Sequence, residues 1–125
     1  MDSTAPASFS ADLVGCAALP LLTGDEIAEL FIAAVRHAGG TIVQMVSHAF
    51  PRTGVTCVLI LAESHAVLHT WPENGTINID IFSCTPRLRS MQAIEELRQA
   101  FGAEAVAIQE IARAIGHGQR RHAGE

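Results

Sequence analysis

Residues 62–75, AESHAVLHTWPENG, contain most of the side chains in this sequence that could perform acid–base or nucleophilic chemistry. Glu63, Ser64 and His65 are consecutive, and His69 follows four residues after His65. A serine beside a histidine suggests a nucleophile with its base, while two histidines suggest metal ligands. Each hypothesis depends on whether the segment forms a strand or a helix.

The spacing of the two histidines argues against a zinc site. The pattern AVLHTW at 66–71 predicts a strand. Residues four apart on a strand are separated by about 13 Å, whereas zinc binds an imidazole nitrogen at about 2.1 Å. We therefore expect no metal at His65 and His69.

A serine hydrolase is also poorly supported by the residues around Ser64. The G-x-S-x-G motif is absent, and in an extended chain His65 points away from Ser64. His69 could act as a base only if the chain bends at Ser64. Taken singly, these residues better fit structural roles, with Ser64 and His65 at a strand corner, His69 in a half-buried sheet and Cys84 in the core.

The elements that must position these side chains follow the order β-α-β-β-β-β-α-β. Because consecutive strands without intervening helices pair antiparallel, we predict a two-layer α+β sandwich, an antiparallel sheet with helices on one face. The Asn74-Gly75 pair predicts a two-residue hairpin turn. The predicted strands are FSADLVG at 9–15, TIVQMVSHAF at 41–50, VTCVLILA at 55–62, AVLHTW at 66–71, TINIDIFS at 76–83 and EAVAIQEI at 104–111.

Two segments have helical periodicity, 23–40 and 89–102, and polar tails are expected at 1–7 and 116–125. Thr23 or Asp25 can cap the first helix, and Gly39 ends it. Gly102 ends the second. The predicted inward faces are Ile27, Leu30, Phe31, Ala34 and Ala38 in the first helix, and Met91, Ile94, Leu97 and Phe101 in the second.

Composition restricts the possible partners and cofactors. All eight basic residues are arginines, which excludes enzymes that bind pyridoxal phosphate, or form their own Schiff base, through a lysine. The formal net charge of −5 argues against nucleic acid or an anionic membrane as partner and favours a small molecule or a protein. Cys16, Cys57 and Cys84 form no CxxC pair, which fits reduced thiols in the cytoplasm.

Two motifs, GVTCVLILAESHAVLHTWPENG at 54–75 and DIFSC at 80–84, resemble the short prokaryotic S-adenosylmethionine decarboxylase proenzymes, a pyruvoyl-dependent family. That family typically contains Gly-Val-Ser/Thr, Glu-Ser-His, His-Thr-Trp/Tyr-Pro-Glu and Asp-x-Phe-Thr-Cys. The segments ADLVGC and HAFPRTGV are weaker matches. Together these segments span most of residues 9–115.

The resemblance implies that the chain cuts itself between Glu63 and Ser64. The serine hydroxyl would attack the Glu63 carbonyl in an N-to-O acyl shift, favoured by a strained corner at the end of an apolar strand. Elimination and loss of ammonia would leave a pyruvoyl group derived from Ser64. Residues 1–63 would then form the β chain of the single domain, and residues 64–125 the α chain.

The resemblance also assigns roles to further residues. His69 matches the acceptor of the Ser64 α-proton, Thr56 a hydroxyl residue that assists processing, and Cys84 the proton donor in decarboxylation. Aromatic side chains at Phe50 and Trp71 match the lining of a nucleoside site, although both equally fit core packing. Glu73 matches a carboxylate that accepts hydrogen bonds from ribose hydroxyls.

The implied activity is decarboxylation of S-adenosylmethionine through a Schiff base with the pyruvoyl group, which yields the aminopropyl donor for spermidine. No external cofactor is needed, and the implied assembly is a homodimer of cleaved protomers. Two departures border the site, Asn74-Gly75-Thr76 and Thr85. Decarboxylation of ornithine or arginine therefore stays open as an alternative, as does an unprocessed regulatory homologue.

Overall fold

The computed structural model describes residues 6–86 and 88–116. The order of strands and helices is the predicted one, and no strand boundary differs from its prediction by more than two residues. The predicted C-terminal tail lies outside the described residues except for Gly116, and β1 begins at the last residue of the predicted N-terminal tail. The elements are β1 Ala7–Val14, a 3-10 turn Leu19–Leu21, α1 Gly24–His37, β2 Ile42–Phe50, β3 Gly54–Leu61, β4 Ser64–Trp71, β5 Thr76–Ser83, α2 Ser90–Phe101 and β6 Ala105–Ala112.

All six strands form one antiparallel sheet in the order β2-β3-β4-β5-β1-β6. Both helices pack on the same face, α1 over β2 and β3 and α2 over β1 and β5, and they contact each other. The α+β two-layer fold is therefore confirmed. The sheet side chains buried on this helix face include Ala7, Phe9, Ala11, Leu13, Val55, Cys57, Leu59, Leu61, Ala66, Leu68, Ile77, Ile79 and Ile81.

The helix ends follow the sequence signals closely. At the start of α1, the Thr23 hydroxyl accepts a hydrogen bond from the Glu26 N–H at 3.1 Å, and the Glu26 carboxylate accepts one from the Thr23 N–H at 2.9 Å. This reciprocal capping box confirms Thr23 as the cap. Gly102 follows α2 in the left-handed conformation, with φ of +64°, as expected for a residue that ends a helix.

The prediction that Met91 points inward is wrong. Met91 is 42% exposed, while Ser90, Ala93, Ile94, Leu97 and Phe101 form the buried stripe of α2. At 3.6 residues per turn, Met91 lies roughly 100° around the helix from the centre of that stripe. Hydrophobicity alone misplaced it, because the small residue Ser90 lies near the centre of the stripe and Ala93 forms the edge farther from Met91.

The β4–β5 connection spans residues 72–75, as the predicted strand bounds imply, but its turn is not the predicted one. Trp71 pairs with Thr76, so four residues, Pro72 to Gly75, form the loop instead of the two-residue turn predicted at Asn74-Gly75. Proline has no N–H to donate to the ladder, which favours ending β4 at Trp71. Gly75 still adopts a turn conformation, with φ of +65°.

The opposite face of the sheet, which we call the open face, carries no helix within residues 6–86 and 88–116. The large apolar side chains on this face that are at least 40% exposed include Val14, Val46, Phe50, Ile60, Trp71 and Ile111. Neither α-helix in the described part of the chain is long and apolar enough to span a membrane. The strand register gives the open face a polar and aromatic set that includes Ser8, Ser10, Asp12, His48, Thr56, His65, His69, Asn78, Asp80 and Phe82.

The β2–β3 hairpin depends on a glycine. Gly54 has φ of +105°, and a Cβ at this position would collide with the Thr70 carbonyl oxygen and lie 2.8 Å from the Thr70 hydroxyl oxygen. That hydroxyl accepts a hydrogen bond from the Val55 N–H at 2.9 Å. The hairpin is therefore held against β4 by a contact that a side chain at Gly54 would disrupt.

We expect Gly54→Ala to lower the free energy of unfolding by about 3 kcal/mol or more, measured by urea denaturation, because backbone strain and a steric clash add. Gly75→Ala is the matched control, since its nearest atom would be 3.6 Å from the new Cβ. Its expected cost is about 1 kcal/mol, from the left-handed backbone alone. Equal losses in the two variants would contradict the importance of the Thr70 contact.

Candidate active site

The turn between β3 and β4 contains the Glu63–Ser64 peptide bond. Leu61 pairs with Ser64, so Ala62 and Glu63 form a two-residue turn. Ser64, the first residue of β4, has φ of +155°, a conformation that non-glycine residues rarely adopt. Conformations of this kind cost on the order of 1–3 kcal/mol and persist where neighbouring contacts enforce them. Ser64 thus has the strained geometry expected of a reactive corner.

Backbone hydrogen bonds hold Glu63 at this turn. The Glu63 carbonyl oxygen accepts a hydrogen bond from the Cys84 N–H at 3.0 Å. Its side chain is buried, and the carboxylate accepts a hydrogen bond from the Thr41 N–H at 3.0 Å. The Thr41 carbonyl in turn accepts from the Ala62 N–H at 2.9 Å. The carbonyl that precedes Ser64 is therefore fixed and polarised by an N–H donor.

His65 lies closer to Ser64 than an extended chain allows. Its Nδ1 is 3.4 Å from the Ser64 Oγ, and its ring packs against Phe82 with 5.6 Å between ring centroids. The prediction that His65 points away from Ser64 is wrong, because these two atoms approach each other at the residue whose φ is positive.

His69 lies near the other end of β4. It pairs with Thr56 on β3, and its Nδ1 is 2.5 Å from the Thr56 Oγ1. Ser64 and His69 are five residues apart on one strand, which corresponds to about 16 Å. Ser64 and His69 of the same chain are therefore too far apart to form the serine–histidine pair of a hydrolase.

Two aromatic side chains enclose the His69 ring. Phe50 and Trp71 contact it with centroid distances of 6.1 Å and 4.5 Å, and His48 packs against Phe50 at 4.5 Å. The His69 Nε2 is buried without a hydrogen-bond partner among the described residues. Phe50 and Trp71 are 41% and 40% exposed, so core packing does not account for either in this chain.

The predicted site residues thus form two separate groups. Glu63, Ser64 and Cys84 form the first, which we call the cleavage corner. The second, the His69 cluster, comprises Thr56, His69, Phe50 and Trp71. Glu73 is exposed in the β4–β5 loop, two residues beyond Trp71.

The three cysteines differ in their surroundings. Cys16 and Cys57 are buried, and burial raises the pKa of both thiols, which disfavours the reactive thiolate. Cys84 is exposed beside the cleavage corner, so the core role considered for it does not apply. Of the three cysteines, only Cys84 is exposed.

A hydrogen-bond chain that the sequence did not reveal supports the His69 cluster. The Trp71 indole N–H donates to the Asn78 Oδ1 at 2.6 Å, and the Asn78 amide donates to the Asp12 Oδ1 at 2.7 Å. Asn78 also pairs with His69 across the β4–β5 ladder. Strand periodicity assigns Asn78 and Asp12 to the open face, but their proximity depends on the register of three strands.

Comparisons with known proteins agree on one family. A family model described as S-adenosylmethionine decarboxylase matches residues 7–114. An S-adenosylmethionine decarboxylase proenzyme from Prochlorococcus marinus is 45% identical over 71 residues, which cover 57% of this chain and 57% of that relative. The proenzyme from Acidithiobacillus ferrooxidans is 37% identical over 103 residues, 82% of this chain and 77% of the relative.

A solved structure has the same fold. The crystal structure of the adenosylmethionine decarboxylase from Aquifex aeolicus superposes with a TM-score of 0.79 at 26% sequence identity. The match covers 93% of this chain and 96% of the other. Every residue of the cleavage corner and of the His69 cluster falls within the part of the chain that the family model matches.

The Trp71–Asn78 hydrogen bond can be tested directly, because Trp71 is the only tryptophan in the chain. Asn78→Ala should increase the quenching of tryptophan fluorescence by acrylamide, since the indole loses the partner that fixes it. Asn74→Ala, in the exposed β4–β5 loop, is the matched control and should leave quenching unchanged. Unaltered quenching in Asn78→Ala, with an unchanged circular dichroism spectrum, would contradict the role assigned to Asn78.

Proposed function

The chain belongs to the S-adenosylmethionine decarboxylase family, a family of carboxy-lyases, and we propose that it is a proenzyme that cuts itself between Glu63 and Ser64. The observation that carries this proposal is the hydrogen bond from the Cys84 N–H to the Glu63 carbonyl oxygen. It stands beside a serine with a strained backbone. A nucleophile, a polarised carbonyl and a source of strain therefore coincide at one peptide bond.

The acyl shift follows from this geometry. The Ser64 Oγ attacks the Glu63 carbonyl carbon, and the Cys84 N–H stabilises the negative charge that develops on the carbonyl oxygen. Breaking the carbon–nitrogen bond converts the peptide into an ester and releases the strain at Ser64. Loss of the Ser64 α-proton then expels the Glu63 carboxylate, which becomes the new C-terminus of residues 1–63. The dehydroalanine that remains at position 64 takes up one water molecule and releases ammonia, which leaves the pyruvoyl group.

The residues at the cleavage corner also fit the group that this reaction forms from Ser64. The pyruvoyl group supplies a carbonyl that binds the substrate amine and accepts electrons as carbon dioxide leaves. Cys84 is exposed, and its neighbour Ser83 pairs with Ser64 across the sheet. Its thiol is therefore suited to return a proton to the substrate α-carbon.

The His69 cluster requires a second copy of the chain. His69 is the proposed acceptor of the Ser64 α-proton, with Thr56 as its hydrogen-bond partner, yet about 16 Å of β4 separate it from its own Ser64. Two open faces packed against each other in opposite directions bring the His69 cluster of one protomer to the cleavage corner of the other. The exposed apolar side chains of the open face support this homodimer.

The proposed substrate is S-adenosylmethionine, and its decarboxylated product serves spermidine synthesis. Phe50 and Trp71 present exposed aromatic rings beside His69 that can stack on adenine. The Glu73 carboxylate lies beyond Trp71 and can accept hydrogen bonds from ribose hydroxyls. A nucleoside and an amino-acid moiety are therefore bound at the junction of the two protomers.

Co-expression of two inactive variants tests both the cleavage and the shared site. We expect Ser64→Ala and His69→Ala chains, each expressed alone, to stay uncut. In a mixture, the His69→Ala chain obtains a functional histidine from its Ser64→Ala partner. If the two chains assort randomly, about half of the His69→Ala chains should be cut, measured by intact-mass spectrometry.

Two results would contradict this account. In the first result, the His69→Ala chain is cut when it is expressed by itself, which would show that His69 does not take part in processing. In the second result, the wild-type chain is cut but the mixture of the two variants forms heterodimers and stays uncut. That result would show that His69 does not act across the dimer. His37→Ala, an exposed histidine at the end of α1, is the control and should be cut as wild type is.

Substrate choice is tested by competition. Millimolar methylthioadenosine, which retains the nucleoside but lacks the reacting amino acid, should inhibit carbon dioxide release from S-adenosylmethionine. Trp71→Leu should raise the KM by about fivefold or more, because a stacking contact contributes on the order of 1 kcal/mol or more. Absence of inhibition, with faster decarboxylation of ornithine or arginine, would contradict the nucleoside site.

A further inference from the structure

We propose that His65 is a catalytic residue of the self-cleavage, which carries the proton from the Ser64 hydroxyl to the Ser64 nitrogen during the acyl shift. This inference rests on the proposed function and adds a residue to its first step. His69 and Thr56 act on a later step, the elimination, and neither can reach the hydroxyl of Ser64 in its own chain.

The position of His65 supports this role. Its Nδ1 is 3.4 Å from the Ser64 Oγ, so a small movement brings the two atoms within proton-transfer distance. The other titratable side chain of the turn, Glu63, is engaged by the Thr41 N–H. Cys84 acts on the Glu63 carbonyl through its backbone N–H. His65 is therefore the side chain best placed to accept the hydroxyl proton.

The His65 ring is oriented by a stack of side chains on the open face. It packs on Phe82 at 5.6 Å, and the Arg113 guanidinium carbon lies 5.3 Å from the centroid of the same Phe82 ring. Arg113 is itself held by a hydrogen bond to the Ser8 Oγ at 2.8 Å. These contacts fix the imidazole near Ser64 although the residue is exposed.

A cavity of about 270 Å³ lies beside this stack and is lined in part by His65, Asp80, Phe82 and Arg113. The Asp80 carboxylate is engaged, because it accepts a hydrogen bond from the Ser10 Oγ at 2.7 Å. The imidazole is therefore the group in this set that is both adjacent to Ser64 and able to exchange a proton.

The proposed step conserves atoms, electrons and protons. The Ser64 Oγ–H bond breaks, its proton moves to the His65 Nδ1, and the oxygen forms a bond to the Glu63 carbonyl carbon. The carbonyl π electrons move to the oxygen that accepts the Cys84 N–H. When these electrons re-form the carbonyl double bond, the carbon–nitrogen bond breaks and the Ser64 nitrogen takes the proton from Nδ1. The products are an ester and an amine, and no further reactant is consumed.

The test follows cleavage of freshly synthesised chains over time by intact-mass spectrometry. We expect His65→Gln, which keeps a polar side chain of similar size but cannot shuttle a proton, to slow cleavage by about 100-fold. Imidazole added to the His65→Ala chain should restore part of the lost rate. His37→Gln is the control and should be cut at the wild-type rate.

A purely structural role predicts a different pattern. If His65 only supports the fold or the dimer, imidazole would not accelerate His65→Ala, and light scattering or thermal unfolding would differ from wild type, which would overturn the proposal. Cleavage of His65→Gln at the wild-type rate would overturn it while leaving the proposed function intact. If the wild-type chain itself stays uncut, both the proposed function and this inference are contradicted.

Discussion

The hydrogen bond from the Cys84 N–H to the Glu63 carbonyl oxygen is the contact on which the rest of the site depends. It joins the end of β5 to the turn between β3 and β4. The Ser64–Ser83 pairing and the two Thr41 hydrogen bonds hold the same turn from both sides. A non-glycine residue retains a strained backbone only under such constraint, so the sheet itself maintains the conformation of Ser64.

Side chains along β4 alternate between the core and the open face, so the residues that stabilise the fold and the residues of the site lie on opposite sides of the strand. Ala66, Leu68 and Thr70 face the helices and are buried in the core, while His65 and His69 face the open side. Because the strand is extended, the residues on its open side are spread along its length instead of converging. A second copy of the chain, packed in the opposite direction, is the simplest way to unite the cleavage corner with the His69 cluster.

Much of the fold is readable from the sequence because it depends on local signals. Period-two hydrophobicity located all six strands, and the cap candidate Thr23 located the start of α1. Two local signals were misread. Met91 is apolar but lies off the buried stripe, and the loop after Trp71 is set by a proline as well as by Asn74-Gly75.

The site was less predictable than the fold. Motif resemblance found its residue types, whereas their arrangement depends on strand register and on one unusual φ angle. The Asn78–Asp12 contact joins residues 66 positions apart, and the contact of His65 with Ser64 exists only because the chain turns there. Neither feature follows from residue spacing.

The most direct test of the central claim is the intact mass of the purified wild-type protein under denaturing conditions. We expect two fragments, one ending at Glu63 and one beginning at position 64. The second fragment should be lighter than an unmodified serine fragment by the mass of one ammonia molecule. A single mass for the full 125-residue chain, persisting after long incubation, would contradict self-cleavage and favour a non-catalytic member of the family.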